Sequence, residues 1–285
     1  MKKIHQEVTE KIIAQLEKGI IPWAQPWKGI GAPHNFVTKN RYSGINRLLL
    51  SMQAQFRQAG YLTYKQTLDL GGHVRKGEKG TTIFFASQFV PEQNKRKAEL
   101  TGNDPEAVFF LKPYTVFNIE QCEGLPIEAA KPVPESAKIK AADDLITASG
   151  ANISIGGEKA CYIPMLDLIR IPAQNSFHEP INFYRTVFHE LSHWTGSSQR
   201  LNRNQDSQFG SPEYAFEELV AEISAAFICA ELGIQPTVRH ADYVGSWLKV
   251  LQNDHKAIFK ASREATKAAE WITNPGNKEK LSLAA

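Results

Sequence analysis

The stretch His189-Glu190-Leu191-Ser192-His193 is an H-E-x-x-H pattern. On a helix, residues four apart share a face, so the two imidazoles stand one turn apart with a carboxylate beside them. That spacing suits two ligands to a single Zn2+, with the glutamate positioned to activate a water. Two histidines on an ordinary surface helix would give the same letters. The pattern becomes a site only with a suitably amphipathic helix and a third ligand, because a catalytic zinc takes three protein ligands and keeps one position open.

The helix requirement is met by pattern. Glu179-Pro180 opens a helical stretch, with proline suited to the first turn. Tyr184, Val187, Phe188, Leu191 and Thr195 share one face. His189 and His193 fall roughly opposite, about 160° to 180° away at ~100° per residue. For the third ligand, a metzincin-type extension would need a histidine where Gln199 stands. Met1, Met52 and Met165 all precede the motif, so no Met-turn follows it. Residues 214–227 offer an alternative, a helix whose core face is Phe216, Leu219, Val220, Ile223 and Phe227. Glu218 and Glu222 lie one turn apart on its other side, beside Ala221 and Ala225, which are small enough to allow close helix approach. Burying two carboxylates there without a cation would be costly; a solvated acidic face is the plain alternative.

Other elements must hold these helices. Residues 137–149 read as a helix ended by Gly150, followed by β-like segments at 152–155 and 159–172 around a Gly156-Gly157 turn. The last strand, 167–172, is expected as an exposed edge on which an extended peptide could pair. Residues 238–252 and 254–272 read as bracing helices with Trp247, Leu248, Leu251, Ile258 and Phe259 inward. His240 and Tyr243 could project into the cleft and stabilise an oxyanion, or serve structure alone.

The first part of the chain has a different character. Residues 1–125 carry 17 Lys/Arg against 11 Asp/Glu, a net of +6, and residues 126–285 carry 16 against 19, a net of −3. Three prolines at 126, 132 and 134 mark the join as an extended linker. The expected organisation is a domain over 1–125, a linker over 126–136 and a second domain over 137–285. Helices are predicted over 4–16, closed by Gly19, and over 44–58, with Thr63 capping a further one and β-rich runs at 81–90 and 107–119. Between residues 26 and 91 nine Lys/Arg face two acids and interleave with aromatics. Cations for the backbone and rings for the bases are what sequence-tolerant single-strand binding requires. The candidate contacts are Trp23, Trp27, Lys28, Lys39, Arg41, Tyr42, Asn46, Arg47, Tyr64, Lys65, Arg75, Lys76 and Lys79; a solvated basic face with its aromatics inside is the alternative. Lys95-Arg96-Lys97 is expected in a polar loop at a hairpin tip. No base-edge-reading motif is present.

Glu217-Glu218-Leu219-Val220-Ala221-Glu222 resembles the gluzincin layout, in which a glutamate-bearing helix follows the H-E-x-x-H helix. That resemblance implies Glu218 as third ligand, Glu222 behind a ligand histidine, and Glu190 as general base. The whole chain resembles the ArdC-type antirestriction family. In the basic part the likeness rests on P-W-x-x-P-W (22–27), Y-S-G-I-N (42–46), L-T-Y-K-Q (62–66), V-R-K-G-E-K-G (74–80) and V-F-N-I-E-Q (116–121). In the second part it rests on H-E-L-S-H-W-T-G (189–196), S-Q-R-L (198–201) and the E-E-L-V-A-E helix. It implies an α+β protein: an N-terminal α/β domain binding single-stranded DNA without sequence preference, and a C-terminal zincin-like, gluzincin-type metallopeptidase domain. It also implies protection of incoming plasmid DNA from host restriction. Zn2+ is the expected cofactor, replaceable by another divalent transition metal, and the protein substrate, unnamed by sequence, could belong to the host restriction machinery. A DNA-shielding protein with a structural or vestigial metal site is the rival reading; a nuclease or primase lacks its clustered carboxylates.

Three scattered cysteines fit a reducing compartment. Glu7, Glu10 and Glu17 interrupt any leader-like apolar core after Met1-Lys2-Lys3, and no apolar run reaches the ~18 residues of a membrane span. A cytoplasmic location and no membrane partner are therefore expected.

Overall fold

The computed structural model describes residues 2–24, 31–53, 55–101, 107–127, 134–203, 205, 207–235 and 243–274. In the first part run α1 (Lys2–Leu16), β1 (His34–Asn35), α2 (Gly44–Ser51), β2 (Gly60–Thr63), α3 (Tyr64–Asp69), β3 (His73–Val74), β4 (Thr81–Phe89), α4 (Glu92–Thr101), β5 (Val108–Asn118) and β6 (Cys122–Glu123). The second part holds α5 (Glu135–Ser149), β7 (Asn152–Ile155), β8 (Cys161–Ile163), β9 (Leu168–Ile171), α6 (Pro180–Trp194), α7 (Pro212–Leu232), α8 (Val244–Asn253) and α9 (Ala257–Thr273). The result is a mixed α/β first part and a largely helical second one. No described helix is long and apolar enough to cross a membrane.

The first sheet has the order β1-β2-β5-β4, with β1 parallel to β2 and the other pairs antiparallel. Thr63 ends β2 and starts α3 through a capping box: its Oγ1 accepts from Gln66 N at 3.2 Å, and Gln66 Oε1 accepts from Thr63 N at 3.0 Å. At Phe84 one amide covers the outer edge of β4. Asn46 Oδ1 accepts from Phe84 N at 2.7 Å, and its Nδ2 donates to Phe84 O at 2.6 Å. A side chain on α2 thus satisfies edge groups that would otherwise invite another strand.

The second part is built on α6, α7 and α9, and its core extends across the expected division at residue 125. Val8, Ile12 and Leu16 of α1, together with Trp23, share one buried cluster with Trp247, Leu251 and the apolar faces of α6 and α7. α2 packs on the alanine-rich side of α9, where Gly44 N donates to Thr266 Oγ1 at 2.9 Å. Arg47, buried on α2, stacks over the Phe227 ring at 4.3 Å and reaches Glu231 on α7 at 2.7 Å. Residues 2–24 and α2 are therefore part of the helical core. Most of the expected linker, residues 128–133, lies outside the described residues.

Other local expectations also change. The helix expected over 44–58 stops at Ser51, and the chain turns so that Glu120 accepts from the backbone N–H of Arg57 at 2.6 Å. Lys95-Arg96-Lys97 lies on α4 rather than in a loop. The strand expected as an exposed edge is β9, the middle of the order β7-β9-β8, paired with β7 on one side and β8 on the other; the edges are β7 and β8, and β8 is the one that lines the cleft.

The Arg47–Glu231 pair joins the two parts, so removing its acid strands a buried guanidinium. Glu231→Ala should lower unfolding free energy by roughly 3–5 kcal/mol, read as an earlier midpoint in urea.

Candidate metal centre

Two helices carry the site. α6 starts at Pro180 after Glu179 and buries Tyr184, Val187, Phe188 and Leu191, leaving His189, Glu190 and His193 to face α7 and the cleft. α7 is capped by Ser211, whose side chain accepts from Tyr214 N at 3.1 Å, and is stopped by Gly233 in the left-handed region. Ala221 and Ala225 lie on its buried surface, as close approach to α6 requires.

His189, His193 and Glu218 bring three ligand atoms together. The two Nε2 atoms are 3.1 Å apart, His189 Nε2 is 3.5 Å from Glu218 Oε2, and His193 Nε2 is 3.4 Å from Glu218 Oε1. Two ligands each about 2.05 Å from a tetrahedral ion stand about 3.3 Å apart. The donor set therefore fits a divalent metal in both chemistry and spacing. Burial works against ionisation of Glu218, but hydrogen bonds to His189 and His193 outweigh it and hold its carboxyl well below the usual range.

Each ligand histidine has an acid at its other nitrogen. Glu222 Oε1 lies 3.4 Å from His189 Nδ1, the place expected for it. Glu217, not foreseen, lies 3.2 Å from His193 Nδ1. Arg203 clasps that carboxylate at 3.0 and 2.8 Å and also donates to Ser192 O at 2.6 Å, fixing α7 to the end of α6. Burial opposes ionisation of Glu217, but the Arg203 charge and the His193 bond win and keep it at about 2. Burial alone would lower His193; its bonds to Glu217 and Glu218 raise it instead to about 10. The Glu217-Glu218 doublet was the available signal: a ligand and its neighbour's support lie side by side.

The cleft over these atoms holds about 270 Å³ and is lined by Glu190, Tyr162, Gln205, Tyr214 and Tyr243. Edge strand β8 contributes Cys161 and Tyr162. Its position is fixed by Arg200, which reaches Asp167 and the Tyr162 hydroxyl (3.2 Å) while lying 4.0 Å over the Trp194 ring. Tyr214 and Tyr243 place their hydroxyls 3.3 Å apart. Burial, the Tyr243 bond and the Glu218 charge raise the Tyr214 phenol, so it stays a neutral donor. His240 lies outside the described residues.

The expected DNA contacts do not form one surface. Trp23 is fully buried, edge-on to Trp247 at 5.5 Å, and cannot stack on a base. Arg47 is buried against Phe227 and Glu231, Asn46 is spent on the β4 edge, and Tyr42 sits in a small core with Leu50, Tyr61, Ile83 and Val116. These four are structural; the aromatic and cationic residues of a core tie look the same in sequence as a contact surface. Lys39, Arg41, Tyr64, Lys65, Arg75, Lys76 and Lys79 are exposed. Trp27 and Lys28 lie outside the described residues.

Residues 2–117 match a family model described as the N-terminal domain of anti-restriction factor ArdC, and residues 140–264 one described as a zincin-like metallopeptidase. The chain is 40% identical to a DNA primase TraC of Escherichia coli, over 95% of this chain but 27% of that protein; a second TraC is 38% identical over 20% of its length. The chain thus spans about a quarter or less of those primases. It is 33% identical to the protein y4eC of Sinorhizobium fredii, over 94% of this chain and 91% of that one. Among solved structures, the antirestriction ArdC protein from plasmid R388 is 38% identical over 94% of this chain and 96% of that one. Its metal-free form superposes with a TM-score of 0.77 and its Mn(II)-bound form with 0.76.

Two outcomes test the centre. Glu217→Gln should weaken metal affinity roughly 10- to 100-fold by loosening His193, measured by competition with a chelator dye. Ligation needs a neutral ring, and His193 near 10 is protonated at pH 7. Metal binding should therefore release a proton and tighten with rising pH up to that value, read by calorimetry in buffers of different ionisation heat.

Proposed function

The chain belongs to the ArdC antirestriction family, and on that footing we propose that it protects incoming DNA from restriction in two ways. It binds single-stranded DNA through its first part, and it hydrolyses a protein of the restriction machinery at a metal held by His189, His193 and Glu218. The observation that carries the hydrolytic reading is the three-ligand set beside Glu190 in an open cleft. A purely structural zinc takes four protein ligands, so the geometry favours chemistry over a shield with an inert metal. Two imidazoles and a carboxylate suit Zn2+; the Mn(II)-bound relative supports tolerance of other divalent ions.

Held by His189, His193 and Glu218, a metal would supply a lowered pKa to a water and polarisation to a carbonyl. The chain's own residues do the rest. Glu190 accepts the water's proton on its carboxylate and passes it to the departing amine nitrogen. Tyr214, kept neutral, and Tyr243 beside it both line the cleft and donate to the oxygen on which charge develops. An extended peptide pairs along the free edge of β8. Glu217 and Glu222 keep the ligand rings in their orientation. The three free cysteines, Cys122, Cys161 and Cys229, support action in the cytoplasm.

Glu190→Ala should retain metal and DNA binding but lose peptide hydrolysis by at least about 100-fold, together with protection from restriction in a plasmid-transfer assay. Parent-like hydrolysis would remove Glu190 from the mechanism, and intact protection without hydrolysis would favour the shield. DNA affinity should fall steeply with salt and vary little with base sequence; a flat salt titration would sink the electrostatic account.

A further inference from the structure

One face of the β4–β5 hairpin changes character along its length. The register puts the odd residues of β4 and the even residues of β5 on this face. At its base Ile83 and Val116 are buried in the small core under Tyr42 and Tyr61. The next level outward is open: Phe85 is 48% exposed and Tyr114 39%, their rings edge to face at 5.5 Å. Further out Phe89, 52% exposed, pairs in the same way with Phe110 at 5.8 Å. Phe85 and Phe89 are four residues apart, roughly 13 Å along the strand. Isolated apolar residues at a surface need no explanation, but three open rings on one face, Phe85, Tyr114 and Phe89, form the kind of patch that marks a binding surface.

Where the open level meets the buried base, the surface drops into a groove of about 390 Å³, floored by Ile83 and Val116, rimmed by Phe85 and Tyr114, and walled by Asn40 and Arg41. That volume falls within the ~300–1,000 Å³ of small-ligand sites. The charge around it is positive. Arg41 pairs with Glu231 at 3.2 Å and buried Arg47 reaches the same carboxylate at 2.7 Å, with the Glu270 carboxyl near both guanidiniums, so the excess positive charge comes from two lysines. Lys112 lies on the same face, 5.3 Å from the Tyr114 centroid, and Lys39 is exposed on the adjoining loop. Rings flanked by cations fit a ligand with flat faces on an anionic chain. Duplex DNA hides its base faces, whereas an unpaired strand offers them.

We propose that this face and its groove hold unstacked bases of single-stranded DNA, stacked on Phe85 and Tyr114 with phosphates against Arg41, Lys39 and Lys112. The groove has this role only if the chain binds single strands, as read above. The test is fluorescence anisotropy of a labelled oligodeoxythymidylate with the full chain, as wild type and as two double variants, Phe85→Ala/Tyr114→Ala and Phe85→Leu/Tyr114→Leu. Both variants should lose at least about tenfold in affinity, with an unchanged salt slope because no cation is removed, and with unchanged circular dichroism. The leucine pair keeps apolar volume without a π-face, so a packing role alone would leave it at wild-type affinity. Wild-type affinity in both variants overturns the groove, including when sizing shows that the face instead joins two copies of the chain. Failure of the wild type itself to bind would overturn the single-strand reading, and the groove with it.

Discussion

Four carboxylates lie in the seam between α6 and α7. Glu190, Glu217, Glu218 and Glu222 are each no more than 6% exposed. Burying that much negative charge is prohibitive unless positive charge and donors are buried with it, and much of the second part of the protein is arranged to provide them. Arg203 crosses from the loop after α6 to clasp Glu217. The two imidazoles stand between the acids, one nitrogen of each toward Glu218 and the other toward Glu217 or Glu222. A divalent ion at the three ligand atoms would supply the remaining compensation. Metal binding and the stability of this seam are therefore one problem, and the acids behind the ligands do structural and functional work at once.

α7 carries a second constraint on the same rod. Its far end bears Glu231, which neutralises Arg47 from α2 and reaches Arg41 beside the first sheet. The helix that holds Glu217, Glu218 and Glu222 in register is thus tied by a buried ion pair to the element that closes the β4 edge. With α1 and Trp23 embedded against α8, the basic part and the metal-bearing part share a core. A nucleic acid held on the first sheet would stand at a fixed position relative to the cleft.

The first sheet divides its face between the two kinds of work an aromatic ring can do. Near α2, Tyr42 and Tyr61 are covered and contribute packing; farther out, Phe85 and Tyr114 are open. The boundary is set by where α2 and the loop carrying Asn40 and Arg41 end, not by any change in residue type along the strands.

Periodicity and local chemistry determined much by themselves. The H-E-x-x-H helix with its buried face, the glutamate helix after it, the Thr63 N-cap and the extent of strands β4 and β5 all follow from contacts within a few residues, which a sequence displays directly. The family layout added Glu218 and Glu222 in their roles. What tertiary structure decided was every pairing between distant segments. It made Glu217 the partner of His193, and β8 rather than β9 the edge strand at the cleft. It buried Trp23, Asn46 and Arg47, which composition offered as contacts, and joined both parts in one core. The reason is physical: a side chain's type fixes which interactions it can make, but only the packing of distant segments fixes whether water, a neighbour or a ligand makes them.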